Sequence, residues 1–172
     1  MKLTILLGAA ALALAVASAA PAAAVAPASP AAAAAALPLG PFQLQDNDGD
    51  CADARLNDVG YHIGVLMDAC DPLILSEQFT YDPLTLQILS VGQPGNCLQA
   101  ILSRAPGVNW LPCDASNVSQ RWQAIGPDQF GRYYIWTTLL GQKTYMQGDA
   151  PVLQASFGPG VNIGNLFRFL LL

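Results

Sequence analysis

The chain has 172 residues with twelve acidic and seven basic side chains, which gives a formal net charge of −5. This length allows one domain with extensions. Because a mildly acidic chain without a basic patch has nothing to neutralise phosphates, we expect no nucleic-acid partner. Acidity by itself does not identify any other partner.

Residues 1–19 have the pattern of a secretory signal peptide. Met1-Lys2 is a short positive start, Leu3–Val16 is an apolar run without charge, and Ala17-Ser18-Ala19 has the small-x-small pattern of a cleavage site. The alternative is a membrane anchor, but a membrane span needs about 20 apolar residues. We therefore predict a signal peptide, a mature N-terminus near Ala20, a secreted extracellular protein and no membrane span.

Residues 20–41 consist almost entirely of alanine and proline. Alanine alone favours helix, but the scattered prolines remove backbone donors and interrupt it. No alternation of apolar and polar residues indicates a strand in this segment. We predict a disordered Ala/Pro-rich linker over 20–41 and one folded domain over 42–172, which is long enough for a single compact core.

Four cysteines follow the linker, and an even number of cysteines in an exported chain indicates two disulfides. They are Cys51, Cys70, Cys97 and Cys113. Four cysteines allow three pairings, and their spacing alone does not choose among them. A zinc site is the competing interpretation, but the chain has no CxxC motif and His62 is its only histidine. We expect no metal site.

The domain contains three copies of a repeat of about 45 residues. Phe79 and Trp122 each follow a cysteine by nine positions, and Phe167 stands where the third such ring falls. An apolar residue also precedes a cysteine or its counterpart by nine positions: Phe42 before Cys51, Ile88 before Cys97 and Trp136 before Tyr145. Because one copy cannot bury its own apolar face, the three copies must share a core. We expect Phe79, Trp122 and Phe167 to occupy equivalent core positions.

Each copy has the composition of short strands joined by turns. Gln93-Pro94-Gly95-Asn96 is strong turn chemistry, Val108–Leu111 alternates, and Tyr133–Leu140 is rich in aromatic and β-branched residues. No segment after residue 42 shows a sustained helical period with caps. The sequence therefore predicts an all-β domain.

The second copy resembles the ricin B-type lectin repeat. It has Cys97-Leu98, a Val-x-x-x-x-Cys strand from Val108 to Cys113, and Gln120-Arg121-Trp122 ending nine residues after that cysteine. The first copy has Glu77-Gln78-Phe79 in place of this Gln-x-Trp motif, and the third lacks both cysteines.

The resemblance implies a β-trefoil, an all-β fold of three lobes around a pseudo-threefold axis. It implies disulfides within the lobes, Cys51–Cys70 and Cys97–Cys113. It also implies that Trp122 is a core residue and does not contact a ligand, which agrees with the large contribution of buried aromatic rings to core stability.

The resemblance further implies carbohydrate binding without catalysis. Family members bind sugars in one shallow pocket per lobe. An Asp two residues after the first cysteine accepts hydroxyl hydrogen bonds, and an aromatic ring two residues before the second cysteine stacks on the sugar. In the first lobe Asp53 matches the Asp, whereas Asp68 replaces the ring and Glu77 replaces the glutamine.

The second and third lobes match the pocket pattern less well. Gln120 matches its glutamine, but Gln99 and Leu111 replace the Asp and the ring, and strand alternation places Trp110 on the core side. The third lobe offers Gln147, Asn165 and, as an unaligned ring, Phe157.

We therefore expect weak binding in the first lobe, to a galactoside or a xylan-like glycan. The loop Asn57–Gly64 contains Tyr61 and His62, which can supply the missing ring. The alternative is that Asp53 only ties the turn after Cys51 and that Tyr61 lies on the surface. The expected carbohydrate-binding residues are Asp53, Tyr61, His62, Glu77, Gln99 and Gln120.

An enzymatic function is not indicated, because no nucleophile–base pair, Gly-x-Ser-x-Gly motif or phosphate loop is present. Paired carboxylates alone suffice for a glycosidase, but the acidic residues show no pattern that selects a pair. We expect no catalysis and no cofactor. Two other functions stay open, a trefoil protease inhibitor acting through an exposed loop and a secreted effector that uses the trefoil as a scaffold.

Two loop motifs have alternative interpretations. Asp46-Asn47-Asp48-Gly49-Asp50 resembles the start of a calcium loop but lacks the late glutamate, so we predict a polar hairpin loop. Asn117-Val118-Ser119 is an N-glycosylation sequon, whose occupancy depends on the host.

Overall fold

The structure, a computed structural model, describes residues 34–55, 64–102, 106–149, 152–157 and 166–172. All described residues belong to one compact unit, Ala31–Leu172. The predicted signal peptide and most of the predicted linker lie outside the described residues. No helix within the described ranges is long and apolar enough to cross a membrane.

Thirteen strands and two single-turn 3-10 helices make up the regular structure of the described residues, which confirms the all-β prediction. The helices are Leu75–Glu77 and Val118–Gln120. The strands are β1 (Ala34–Ala35), β2 (Phe42–Gln45), β3 (Asp50–Asp53), β4 (Leu66–Ala69), β5 (Phe79–Asp82), β6 (Gln87–Ser90), β7 (Asn96–Leu102), β8 (Pro106–Pro112), β9 (Gln123–Ile125), β10 (Tyr133–Leu139), β11 (Gln142–Asp149), β12 (Val152–Phe157) and β13 (Leu166–Leu171). After β1, each lobe contributes four strands: β2–β5, β6–β9 and β10–β13.

Six of these strands close a barrel, because each pairs with two neighbours. Strand β2 pairs with β13 on one side and with β5 on the other, and β5 pairs with β6. A bridge between Gln87 and Arg121 joins β6 to the segment before β9, and the β9–β10 and β10–β13 pairs complete the ring. The other strands form the hairpins β3–β4, β7–β8 and β11–β12, and β12 pairs with both β4 and β8. This topology is a β-trefoil, and closure removes the exposed sheet edges of the barrel.

The strand register confirms that Cys51, Cys97 and Tyr145 occupy equivalent positions in the three lobes. Cys51 pairs with Gln45, Cys97 with Leu89 and Tyr145 with Trp136. The same relation therefore recurs once in each lobe, as the repeat predicts.

The predicted equivalence of Phe42, Ile88 and Trp136, which each stand nine residues before one of these positions, is wrong. Phe42 pairs with Phe79 and Tyr133 pairs with Phe167, so the counterpart of Phe42 in the third lobe is Tyr133 and not Trp136. The reason is the length of the connecting loop. The chain takes six residues to pass from position 45 to its partner at 51, but nine to pass from 136 to 145.

The three predicted core rings, Phe79, Trp122 and Phe167, are fully buried. Trp122 donates from its backbone N–H to the carbonyl of Leu86 at 2.7 Å and from Nε1 to the carbonyl of Leu98 at 2.8 Å. Trp110 is 1% exposed, which confirms that it lies on the core side of β8. The buried aromatic residues are thus core residues of the barrel and its hairpins.

Both disulfides lie within single lobes, as the resemblance implies. Cys51 is bonded to Cys70 and Cys97 to Cys113, so no cysteine is free. Each bridge links the first strand of a hairpin to the residue just after the second strand. The third lobe has no cysteine, and Tyr145 occupies the position of Cys51 and Cys97 there.

The predicted boundary of the disordered linker at residue 41 is wrong for its last residues. Ala34–Ala35 form β1, which pairs with β9, and Leu37 is 4% exposed within the core cluster. The physical reason is that Ala34–Ala35 pair with Ala124 and Ile125 of β9, and that Leu37 buries its apolar side chain in the core. The ordered chain therefore begins before Phe42.

The acidic segment between β2 and β3 is a polar hairpin loop, as predicted. Asp46 Oδ1 accepts hydrogen bonds from the backbone N–H groups of Asp48, Gly49 and Asp50 at 2.9–3.0 Å. Gly49 has a φ of +101°, a conformation that favours glycine. Among the described residues, no group of three His, Cys, Asp or Glu side chains is placed to hold a metal ion.

Candidate functional site

The predicted first-lobe site centres on Asp53, the last residue of β3. Its side chain has no solvent exposure, and neither carboxylate oxygen accepts a hydrogen bond from any described residue. The alternative that Asp53 ties the turn after Cys51 is therefore not supported. A buried carboxylate without hydrogen bonds is costly unless a counterion or a ligand compensates it.

Arg55 supplies the counterion. Its Nε lies 3.2 Å from Asp53 Oδ2, and its second terminal nitrogen lies 2.7 Å from Asp68 Oδ2. Asp68 stands on β4 where the resembled family has a stacking ring, and both Arg55 and Asp68 are 46% exposed. The hydrogen bond to Asp68 raises the pKa of the Arg55 guanidinium, while the Ala69 N–H and Arg55 lower the pKa of Asp68. The guanidinium thus bridges two carboxylates, one buried and one partly exposed.

Glu77, in the 3-10 helix Leu75–Glu77, is 1% exposed. Its Oε2 accepts hydrogen bonds from Gln43 Nε2 and from the backbone N–H of Asp71, both at 2.8 Å. Burial raises the pKa of the Glu77 carboxyl, and the negative charges of Asp53, Asp68 and Asp71 raise it further, against the lowering effect of the Asp71 N–H. Glu77 therefore fastens β2 to the loop that follows Cys70.

Gln120 makes the equivalent contacts in the second lobe. Its Oε1 accepts from Gln87 Nε2 at 2.7 Å and from the Asp114 N–H at 2.8 Å. Its Nε2 donates to Gln99 Oε1 and to the Pro112 carbonyl, both at 3.0 Å. A glutamate has no amide to donate, so Glu77 cannot give Asp53 the hydrogen bond that Gln120 gives Gln99.

The predicted site residues are thus brought together only in part. Asp53 and Glu77 lie in one lobe, and Gln99 and Gln120 are directly bonded in the next. Glu77 and Gln120 use their polar atoms inside the protein, where we predicted hydroxyl contacts. Tyr61, His62 and Asn165 lie outside the described residues, and Gln147 is partly exposed on β11.

Sequence reasoning missed Arg55, Gln43 and Gln87. A signal for Arg55 was available, since it follows Asp53 by two positions and so projects to the same side of an extended chain. The two glutamines also had a signal, because each stands directly beside a large apolar residue in its strand. Their role as donors to Glu77 and Gln120 depends on contacts more than 30 residues apart in sequence.

Replacing Glu77 with glutamine is expected to raise the free energy of unfolding at neutral pH by about 1 kcal/mol. The new amide can donate to Asp53 as Gln120 donates to Gln99, and one net hydrogen bond contributes about this much. The folded-state pKa of Glu77 lies above its ordinary value of 4.5. Protonation therefore stabilises the folded protein below the unfolded pKa, and this contribution is lost as the pH rises through the folded pKa. The advantage of Glu77→Gln should shrink on acidification, which urea unfolding at several pH values measures.

The matched control is Gln120→Glu in the second lobe. It should lower the free energy of unfolding at neutral pH by about 1–3 kcal/mol, because Gln99 Oε1 and the Pro112 carbonyl would lose their donor. Equal stability of wild type and Glu77→Gln at neutral pH would contradict this account of the pocket.

Comparison with known proteins identifies the fold. No protein-family model and no curated protein sequence matches the chain. Among solved structures, the BEL β-trefoil is 20% identical with a TM-score of 0.59, and the match covers 77% of this chain and 93% of that one. The β-trefoil lectin of the Vibrio vulnificus hemolysin/cytolysin, solved with N-acetyl-D-lactosamine bound, is 14% identical with a TM-score of 0.58, covering 77% and 94%.

A third similar structure is a non-toxic homologue of type II RIPs from Momordica charantia, in complex with α-methyl-D-galactoside. It is 15% identical with a TM-score of 0.58, and the match covers 76% of this chain and 47% of that one. At these identities the likeness establishes the fold alone. The chain therefore has the β-trefoil fold of the ricin B-type lectins, which confirms the resemblance at the level of the fold.

Proposed function

We propose that this protein is a secreted, lectin-like carbohydrate-binding protein that does no chemistry on its ligand. The observation that supports this most is Asp53, a fully buried carboxylate whose oxygens accept no hydrogen bond from the described residues. It stands at the position where the resembled family binds sugar hydroxyls. Sugar hydroxyls are donors that can satisfy such a group.

Secretion is supported by the signal-peptide pattern at the N-terminus and by the two disulfides, since disulfides persist in oxidising compartments. The ligand class proposed is a galactoside or a xylan-like glycan. Solved trefoils of the same fold contain N-acetyl-D-lactosamine or α-methyl-D-galactoside, which supports the first of these.

The absence of catalysis is supported by the state of the acidic groups in the pocket. Arg55 is paired with both Asp53 and Asp68, and Glu77 Oε2 is occupied by two donors. Neither arrangement resembles a free acid facing a free base across a scissile bond. With Asp68 in place of a stacking ring, we expect affinity no better than about millimolar.

A glycan array probed with wild type and with Asp53→Ala tests this proposal. We expect wild type to bind a subset of the glycans and Asp53→Ala to lose that binding. The control is Lys143→Ala, which changes an exposed residue of the third lobe and should keep that binding. Absence of binding by folded wild type, or unchanged binding by Asp53→Ala, would contradict the proposal.

One exposed loop favours a second candidate, protease inhibition. In the first lobe the loop after Cys70 presents Leu73 and Leu75, which are 86% and 57% exposed. The equivalent loop of the second lobe is Ala115–Val118, which is more polar. An inhibitor would use such an exposed apolar loop to enter a protease subsite. Inhibition assays against a protease panel, with Leu73→Ser as the variant, would identify this function.

A further inference from the structure

The first lobe differs from the second in the charge of its pocket. Each of three equivalent positions is acidic in the first lobe and neutral in the second: Asp53 against Gln99, Asp68 against Leu111, and Glu77 against Gln120. The third lobe has neutral Gln147 and Ser156 at the first two of these positions. The acidic character is therefore specific to one pocket and does not follow from the fold.

The buried carboxylate in this pocket has one described counterion. Asp53 has no exposure and accepts no hydrogen bond from the part of the chain that the structure describes, and the 3.2 Å contact from Arg55 Nε lacks hydrogen-bond geometry. The Asp68–Arg55 ion pair is half exposed on both sides, and such pairs are weak because water screens them. Arg55 thus places a positive charge beside both carboxylates on a long, partly exposed side chain.

We propose that the first lobe selects a sugar with a free, protonated amine, and that the Arg55 guanidinium occupies the place of the ligand's ammonium until the sugar displaces it. This inference rests on the proposed carbohydrate-binding function and names its ligand class.

The chemistry of the pocket explains the preference. An ammonium brings a positive charge and three donors, which satisfy Asp53 and Asp68 after Arg55 has left. A neutral diol brings donors without charge, so the carboxylates would lose their countercharge when Arg55 moved away. The attraction is strongest at Asp53, because a charge pair interacts more strongly out of water.

The test is titration of galactosamine, N-acetylgalactosamine and galactose into wild type and Arg55→Ala, below neutral pH, by calorimetry. We expect wild type to bind galactosamine about tenfold more tightly than N-acetylgalactosamine, since acetylation removes the charge and one tenfold step is a modest charge effect. Arg55→Ala should bind galactosamine about tenfold more tightly again, because its internal competitor is gone. The control Lys143→Ala removes one positive charge in the third lobe and should change neither affinity.

Arg55→Gln serves as a second variant that keeps most of the side-chain volume, so that a folding defect of Arg55→Ala does not decide the result. Equal affinity for galactosamine and N-acetylgalactosamine in these variants, or weaker galactosamine binding than in wild type, would overturn the inference and leave the proposed function standing. Failure of all three sugars to bind wild type and both variants would overturn the first-lobe site itself. An amine preference in the double variant Arg55→Gln/Asp53→Asn as large as that in Arg55→Gln would also overturn the inference.

Discussion

Replacing Trp122 with alanine is expected to lower the free energy of unfolding by about 3–5 kcal/mol, as aromatic truncations in cores do. The side chain is fully buried, and its Nε1 donates to the Leu98 carbonyl at 2.8 Å. The substitution leaves a cavity in the core and an unsatisfied carbonyl on β7. Urea or guanidinium unfolding followed by circular dichroism measures the loss.

Trp136→Ala is the matched control for this prediction. Trp136 lies on the outer side of β10, since its neighbours Ile135 and Thr137 are fully buried, and it is partly exposed. We expect Trp136→Ala to cost less than half as much as Trp122→Ala. Equal losses in the two variants would contradict the assignment of Trp122 to the common core, and so would a loss below about 1 kcal/mol for Trp122→Ala.

Removing the second-lobe disulfide with Cys97→Ala and Cys113→Ala together is expected to lower the free energy of unfolding by about 3 kcal/mol on the chain-entropy estimate. The bridge closes a loop with a sequence separation of 16 residues. Without it the unfolded chain gains conformational freedom, which favours unfolding. The measurement is denaturant unfolding of the double variant against wild type under non-reducing conditions.

The first-lobe bridge provides the comparison, because its sequence separation of 19 is nearly the same. The double variant Cys51→Ala/Cys70→Ala should therefore lose a similar amount. Non-reducing peptide mapping of wild type should recover both bridges separately. A peptide linking Cys70 to Cys97 would contradict both the pairing and the lobe assignment.

The threefold fold was predictable because its markers are spaced by the repeat itself. Phe79, Trp122 and Phe167 recur at one place in each lobe, and burial of all three bears this out. The loop lengths were not predictable from the markers, because a hairpin loop tolerates insertion at little cost. The prediction therefore misaligned Phe42 with Trp136. It also ended the linker too late, because the pairing of Ala34–Ala35 with β9 depends on a distant strand.

The position of the first-lobe site was predictable from the sequence, but the burial and the hydrogen bonding of its residues were not. The spacing to Cys51 identifies Asp53 as a site residue. The spacing does not predict that Asp53 is fully buried or that it accepts no hydrogen bond from the described residues. Its environment depends on Arg55 and on Asp68, which β3–β4 pairing brings beside it. Glu77 was predicted to contact the ligand. Its carboxylate instead accepts a hydrogen bond from Gln43, which lies 34 residues away in sequence. Local patterns do not reveal hydrogen bonds of this range.

We propose that carbohydrate binds in the first lobe, and a titration followed by NMR distinguishes the three lobes. Simple galactosides, including galactosamine, and xylo-oligosaccharides are added to the isotope-labelled protein, and the amide shifts are mapped on the three lobes. The account predicts shifts clustered around Asp53, Arg55 and Asp68 and their loss in Asp53→Ala. Shifts clustered on the second or third lobe, or shifts that persist unchanged in Asp53→Ala, would contradict it.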